Sequence, residues 1–190
     1  MRVGNLFIIS GPSGAGKGTL VKELVTRVPD LWVSVSVTTR APRPGEVEGQ
    51  HYFFVSNEEF DRLVAEDGLL EWAEVHRNRY GTPRAAVEQH VAAGHQVVLE
   101  IDPQGAFQVK SMAKNSVLVF IMPPSMEELE RRLQGRGSET KQQVKARLET
   151  AKHELELVGE YDDVVQNNDV PEAVDQLVAI IDGHAGQQKV

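Results

Sequence analysis

The sequence predicts an α/β fold. A central parallel sheet is covered by helices on both faces and interrupted in its first half by a small sheet-rich segment. Three observations predict it. Apolar runs of strand length at Leu6–Ile9, Val97–Ile101 and Val117–Met122 alternate with segments whose apolar residues recur at helical spacing. A glycine-rich stretch from Gly11 to Thr19 joins the first run to the first helical segment. Between Trp32 and about Glu74 the texture changes to short alternating runs rich in β-branched and aromatic residues.

Leu6-Phe7-Ile8-Ile9 reads as a buried parallel strand, and Leu20, Leu24 and Val28 mark the helix after it, ended by Pro29. Val33, Val35 and Val37 alternate with serines and predict one half-buried strand. His51–Val55 predicts a second and Leu69–Val75 a third, with a short helix between them opened by a capping box at Ser56 and Glu59. Thr82-Pro83 predicts a helix start, with Pro in the first turn, running to Val91. The run Val97–Asp102 is a strand ending in acids, and Val117–Met122 is another strand. Ser125 and Glu128 predict a second capping box, and Gly135-Arg136-Gly137 breaks the helix that follows. A charged helix is expected over 141–157, a last strand over Asp163–Gln166, and a final helix capped by Asp169. The whole reads as a single domain. Its core comprises residues 1–33 and 83–190, with an insertion over about 34–82.

Composition narrows the function. With 190 residues, 41% hydrophobic and 25% charged, the chain is ordinary globular protein. It contains no cysteine, which excludes disulfides, thiolate metal sites and cysteine nucleophiles. No apolar run approaches a membrane span, and the start lacks a signal-peptide pattern, so a cytoplasmic protein with no membrane partner is expected. A net charge of -8 argues against nucleic acid as a partner, because that affinity rests on cationic contacts to phosphates. A small anionic ligand would need a local cluster of arginines or backbone amides. The chain fits a monomer or a homo-oligomer equally.

Gly11-Pro12-Ser13-Gly14-Ala15-Gly16-Lys17-Gly18-Thr19 supplies one such cluster. It follows a strand and opens a helix, the setting of a phosphate-binding loop. Its glycines let successive N–H groups converge on one anion, the helix N-terminus adds its positive end, and Lys17 adds a charge. Where Ser or Thr usually follows the lysine, Gly18 stands, with Thr19 next; the side chain that would touch magnesium is displaced or replaced by water. A nucleoside triphosphate is the expected ligand. A regulatory GTPase is disfavoured, because no Asn-Lys-x-Asp segment is present.

Beyond this loop the sequence resembles the guanylate kinase family over about Leu6 to Leu177. The segments that carry the resemblance, besides Ser10–Thr19, are Ser34–Glu46, Gly49–Phe54, Glu71-Trp72-Ala73, Tyr80-Gly81-Thr82, Glu100–Gly105 and Arg132–Gly137. Gly18-Thr19 is also similar to adenylate kinases, and Pro103 is a less usual residue at its position. The resemblance implies a three-layer P-loop kinase with a GMP-binding insertion and a lid over about 135–147. The implied reaction is phosphorylation of GMP to GDP by ATP with Mg2+. It implies that Arg40, Arg43, Tyr52 and Tyr80 hold the GMP phosphate, and that Ser36, Glu71, Thr82 and Asp102 hold the guanine. Arginine forks and tyrosine hydroxyls suit phosphate oxygens, and a carboxylate suits the N1–H and N2–H2 donors of guanine while repelling N1 of adenine. Outside the family setting, the arginines would read as a solvated loop, the tyrosines as packing and Glu71 as a surface acid. Arg132, Arg136 and Arg147 match the lid, and Asn167 the residue at the adenine of ATP. The implied catalytic charges are Lys17, Arg40, Arg43, Arg136 and Arg147. Glu100 and Asp102 sit where such a fold holds magnesium through water, without forming an assigned metal site. Two rivals are a kinase for another nucleoside monophosphate and a non-catalytic scaffold module of the same fold; the intact phosphate loop disfavours the second.

Overall fold

The computed structural model describes residues 2–75, 77–135 and 140–185. Strand β1 (Asn5–Ser10) runs into the glycine-rich loop, which opens α1 (Lys17–Arg27). After β2 (Leu31–Val33) come β3 (Val37–Thr38), β4 (Phe53–Phe54), α2 (Asn57–Ala65), β5 (Leu69–Val75) and β6 (Asn78–Pro83). Then α3 (Arg84–Ala92), β7 (Gln96–Glu100), α4 (Pro103–Met112) and β8 (Val117–Met122) lead to α5 (Met126–Gln134) and α6 (Lys141–Glu156). The chain closes with β9 (Asp163–Gln166) and α7 (Val170–Ala185).

Two sheets result. The larger is parallel throughout, in the order β2-β7-β1-β8-β9. Its central strands β7, β1 and β8 are buried on both faces, so they read as continuous apolar runs. On one face Phe7, Ile9 and Ile121 pack against Leu20 and Leu24 of α1 and Ala173, Leu177 and Ile181 of α7. On the other, Ile8, Leu99 and Phe120 pack against Val87 of α3 and Ala106 and Val109 of α4. This is the predicted α/β architecture with helices on both faces. The smaller sheet has the order β4-β3-β6-β5 and rests on α2 through Val37, Phe60 and Leu69.

The structure corrects several elements. The single strand expected across Val33–Val37 is two strands in different sheets. The Ser34 amide still donates to the Val98 carbonyl of the large sheet (2.9 Å), whereas the Ser36 carbonyl already accepts from Phe53 of the small one (2.9 Å). Alternation along one chain cannot reveal that the partner changes midway. The strand expected at His51–Val55 shrinks to the two residues of β4. Thr82 and Pro83 end β6, and the helix begins at Arg84 with Pro83 as its N-cap. Among the described residues, β6, α4 and a short 3-10 turn at Val158–Glu160 are additional to the expected elements. Ser56 and Ser125 cap their helices as expected, but Glu59 pairs with Arg62 and Glu128 with Arg131 and Arg132, so only half of each box forms. The full box is at Thr140 and Gln143 instead.

Candidate active site

The phosphate loop crosses the carboxyl end of β1, beside the ends of β7 and β8, where ligands of such sheets bind. Gly11 has φ 135 and a Cβ there would strike the Ile121 carbonyl, so the turn off the strand accepts no side chain. Gly16, the N-cap of α1, has φ 96 and leaves room for the Asn167 amide. Lys17 folds over the loop, its Nζ donating to the carbonyls of Gly11 (2.5 Å) and Pro12 (3.1 Å). Asn167 is buried and donates to the Ala15 carbonyl (2.8 Å), which Arg132 also approaches (3.4 Å).

A cleft of about 1040 Å³ runs from this loop to the small sheet. It exceeds the usual single-ligand pocket. Of the residues singled out from the sequence it brings together Gly11, Ser13, Gly14, Gly16, Lys17, Gly18 and Thr19 on one side. Ser36, Arg40, Arg43, Tyr52, Glu71, Tyr80, Asp102 and Arg147, also singled out, line it as well. Pro12, Ala15, Thr82, Arg132 and Asn167 do not line it. Arg136 lies outside the described residues, as does part of the expected lid.

The cation end of the small sheet is built by a turn. Pro44 and Gly45 (φ 86) close a turn in which the Glu46 amide donates to the Arg43 carbonyl (3.0 Å). Glu46 then accepts from both terminal nitrogens of Arg40 (2.8 and 3.0 Å) and from the Arg43 amide (2.7 Å). The pairing raises the pKa of Arg40 and lowers that of Glu46. Arg40 lies 5.3 Å from the centroid of the Tyr52 ring, and Tyr52 meets Tyr80 at 5.9 Å. Burial raises the pKa of the Tyr52 hydroxyl, keeping it a neutral donor.

The opposite end is acidic. Glu71, on β5, is 5% exposed and accepts from the Thr82 hydroxyl at 2.6 Å. Register explains the pair, since Glu71 faces Thr82 across the β5–β6 hairpin. Burial pushes the Glu71 carboxyl up to about 7; Asp102 adds to this and the Thr82 bond opposes it. Asp102 caps α4 by accepting from the Gly105 amide (3.1 Å), and a Cβ on Gly105 would lie 2.5 Å from Glu71 Oε2. Gly105 therefore fixes where Glu71 can sit.

Between the two ends, Glu100 at the end of β7 opens into the cleft. The protein around it raises its pKa, and Lys17 pulls it down. A Cβ on Gly18 would be 3.7 Å from both Glu100 oxygens. Helix α6 brings Arg147 to the loop, where it donates to the Ser13 hydroxyl (3.2 Å). Two turns on, Glu154 also faces the cleft; burial raises its pKa and Lys17 opposes the rise. As a sequence it reads as a surface salt-bridge partner. The signal for its place was its spacing of seven from Arg147, which puts both on one helix face.

A glycine-rich loop with its lysine and a buried carboxylate thus share one cleft. The protein-family model for guanylate kinase matches residues 3–184. The chain belongs to the guanylate kinase family. Members of this family phosphorylate GMP to GDP with ATP. The chain is similar to the guanylate kinase of Thermobifida fusca (strain YX), 56% identical over 93% of this chain and 90% of that protein. It is 53% identical to the guanylate kinase of Desulfitobacterium hafniense (strain Y51), over 94% of this chain and 89% of that one. The crystal structure of guanylate kinase from Anaplasma phagocytophilum superposes with a TM-score of 0.84 at 39% identity, covering 99% and 89% of the two chains. Guanylate kinase membership accounts for the second sheet, which stands in the chain between β2 and α3. No helix among the described residues is long and apolar enough to cross a membrane.

Proposed function

We propose that this chain transfers the γ-phosphoryl group of ATP to the phosphate of GMP, yielding ADP and GDP, in purine nucleotide metabolism in the cytoplasm. The observation that carries the choice of acceptor is Glu71: a buried carboxylate lining the cleft, with no cation among its hydrogen-bond partners in the described residues. A carboxylate there accepts from guanine N1–H and N2–H2 and has nothing to accept from N1 of adenine. Asp102 and Ser36 line the same end, and Thr82 holds Glu71 from behind.

In this reading residues 34–82 bind GMP and residues 135–147 form the lid. Arg40, Arg43, Tyr52 and Tyr80 grip the acceptor phosphate, whose oxygen attacks the γ-phosphorus in line. No general base is needed, because that oxygen is already a nucleophile. Residues 11–19 cradle the ATP phosphates, while Lys17, Arg147 and Arg136 offset charge on the migrating group. Arg132 and Asn167 brace the loop at Ala15, next to the ATP side. Magnesium asks for few protein ligands and keeps several waters. Glu100, facing the Cβ-less Gly18, with Thr19 and Asp102 along the same wall, fits such a loosely held ion. When bound, Mg2+ supplies charge neutralisation at the ATP phosphates.

The test is ADP release by purified protein with GMP, AMP, CMP and UMP as acceptors. GMP is expected to exceed the others by at least about two decades in kcat/KM, the discrimination available to a site that hydrogen-bonds its base. Comparable rates with AMP would overturn the assignment.

A further inference from the structure

We infer that Glu46 is the positioning residue of the acceptor-phosphate clamp. It fixes the Arg40 guanidinium and the Arg43 backbone as one preformed unit. The inference rests on the GMP reading above and names a residue that the reading leaves without a role.

Three features carry it. First, Glu46 is saturated by the clamp. Its two carboxylate oxygens take both terminal nitrogens of Arg40 (2.8 and 3.0 Å), and one of them also takes the Arg43 amide (2.7 Å). Second, the turn at Pro44-Gly45 delivers it. The Glu46 amide bonds back to the Arg43 carbonyl, so the carboxylate cannot swing away without unpairing the Arg43 amide. Third, Glu46 stands behind the arginines. Arg40 and Arg43 line the cleft and Glu46 does not.

The remaining donors of Arg40 are thereby aimed. Nη1 is occupied by Glu46 and by the Ala41 carbonyl (2.8 Å), and one Nη2 hydrogen by Glu46. Nε–H and the second Nη2 hydrogen, a side-on pair, are taken by neither Glu46 nor Ala41; Tyr80 also pairs with the guanidinium, and the Tyr52 ring lies 5.3 Å from its carbon. The guanidinium is held at 11% side-chain exposure, although it sits in a stretch with little regular structure. An ion pair this well ordered removes the entropy that an arginine otherwise loses when it meets a phosphate. The opposite possibility is that Glu46 occupies the fork in place of phosphate and must be displaced. Its position behind the arginines and its bond to the Arg43 amide argue against this.

The two readings predict opposite signs. The experiment measures KM for GMP, KM for ATP, kcat, and the inhibition constant of guanosine for wild type, Glu46→Ala, Glu46→Gln and Glu46→Asp. Guanosine carries the base but no phosphate. Glu46→Ala is expected to raise KM for GMP about tenfold, the cost of ordering one or two long side chains on binding. KM for ATP and guanosine inhibition should stay within about twofold, below the threshold of one lost contact. Glu46→Gln keeps the size and should also raise KM for GMP, and Glu46→Asp, which keeps the charge, should recover part of the loss. An unchanged or lowered KM for GMP in Glu46→Ala and Glu46→Gln would overturn the inference, as would an equal loss for guanosine and GMP. If wild type fails to phosphorylate GMP, the functional reading falls and this inference with it. If wild type is active and the variants match it, only this inference falls.

Discussion

Glu71 should make GMP use depend on pH in a way that a single substitution removes. Its carboxyl is pushed up to about 7 by burial, so it is roughly half ionised at neutral pH before ligand binds. Only the ionised form accepts from both guanine donors. The ionised fraction rises from about one-tenth at pH 6 to about nine-tenths at pH 8, so kcat/KM for GMP should rise about tenfold across that window from this group alone. The second ionisation of the GMP phosphate adds its own rise, which Glu71→Gln retains. The ratio of wild type to Glu71→Gln therefore isolates the carboxylate. At pH 8 that ratio should reach about one and a half to three decades, the worth of a charge-assisted pair replaced by an amide that presents a donor to a donor. IMP, which lacks the N2 amine, should lose less than GMP.

The same shift has a stability cost. Between pH 4.5 and about 7 the folded protein holds the Glu71 proton more tightly than the unfolded chain does. Stability without ligand therefore falls as pH rises through that window, and the full penalty applies above it. A rise of this size corresponds to about 3 kcal/mol. Glu71→Gln carries none of it, so the stability difference between variant and wild type should move in the variant's favour from pH 5 to pH 8. Denaturant titrations at the two ends measure this. Parallel activity profiles for the two proteins, or a stability difference that ignores pH, would refute the reasoning.

Lys17→Met should lower ATP-dependent GDP production by about two to three decades or more, while the melting temperature moves by no more than about 3 °C; near-normal turnover would remove the phosphate-loop assignment. In Gly105→Ala the added Cβ would lie 2.5 Å from Glu71 Oε2, so kcat/KM for GMP should fall about ten- to hundredfold with KM for ATP unchanged. Burial, together with the neighbouring His95, holds the His90 pKa below its usual value, with the ring stacked 4.0 Å from Trp32. Stability should thus drop as pH falls below about 6.5, and the slope should flatten in His90→Asn; identical slopes would exclude His90 as its source. Because phosphoryl transfer must exclude water, GMP with a non-hydrolysable ATP analogue should reduce the radius of gyration in X-ray scattering, and an unchanged profile would count against closure.

What was readable in the sequence follows from how locally each feature is determined. β1, β7 and β8 show themselves as apolar runs because both faces of the large sheet are covered there, and the glycine-rich loop as a glycine pattern because its backbone admits little else. β6 was hidden because Asn78, Arg79 and Tyr80 serve the cleft and its surroundings rather than a core, which erases alternation. Helix α4 was hidden although its start signal, Asp102 as N-cap before Pro103, is plain in the sequence. Its buried residues Pro103, Gly105, Ala106 and Val109 are mostly small, so its apolar stripe is weak. Arg40 and Glu71 could be named from family resemblance, but neither their partners nor their burial could be. Glu46 was visible only as the end of a motif, because its contacts depend on a turn closing.

The carboxylates in and behind the cleft divide by what satisfies them. Glu46 is held by two nitrogens of Arg40 and an amide, and its pKa falls. Glu71 is buried with a hydroxyl and a neighbouring acid but no cation among the described residues, and its pKa rises. A lowered value marks an acid whose partner is built into the chain, so its work is internal: it organises other groups. A raised value in a buried acid that faces a cleft marks a desolvation cost that internal contacts do not offset. Such a cost persists where a ligand supplies the missing donors. Lys17 offsets part of the cost at Glu100 and Glu154, so those two acids lie within electrostatic reach of the loop lysine. The acidic chain thus separates its charges along one cleft. Cations come from the loop, the Arg40–Arg43 turn and α6, and a buried acid with no cationic hydrogen-bond partner among the described residues sits on β5, where the proposed reading has guanine present its donors.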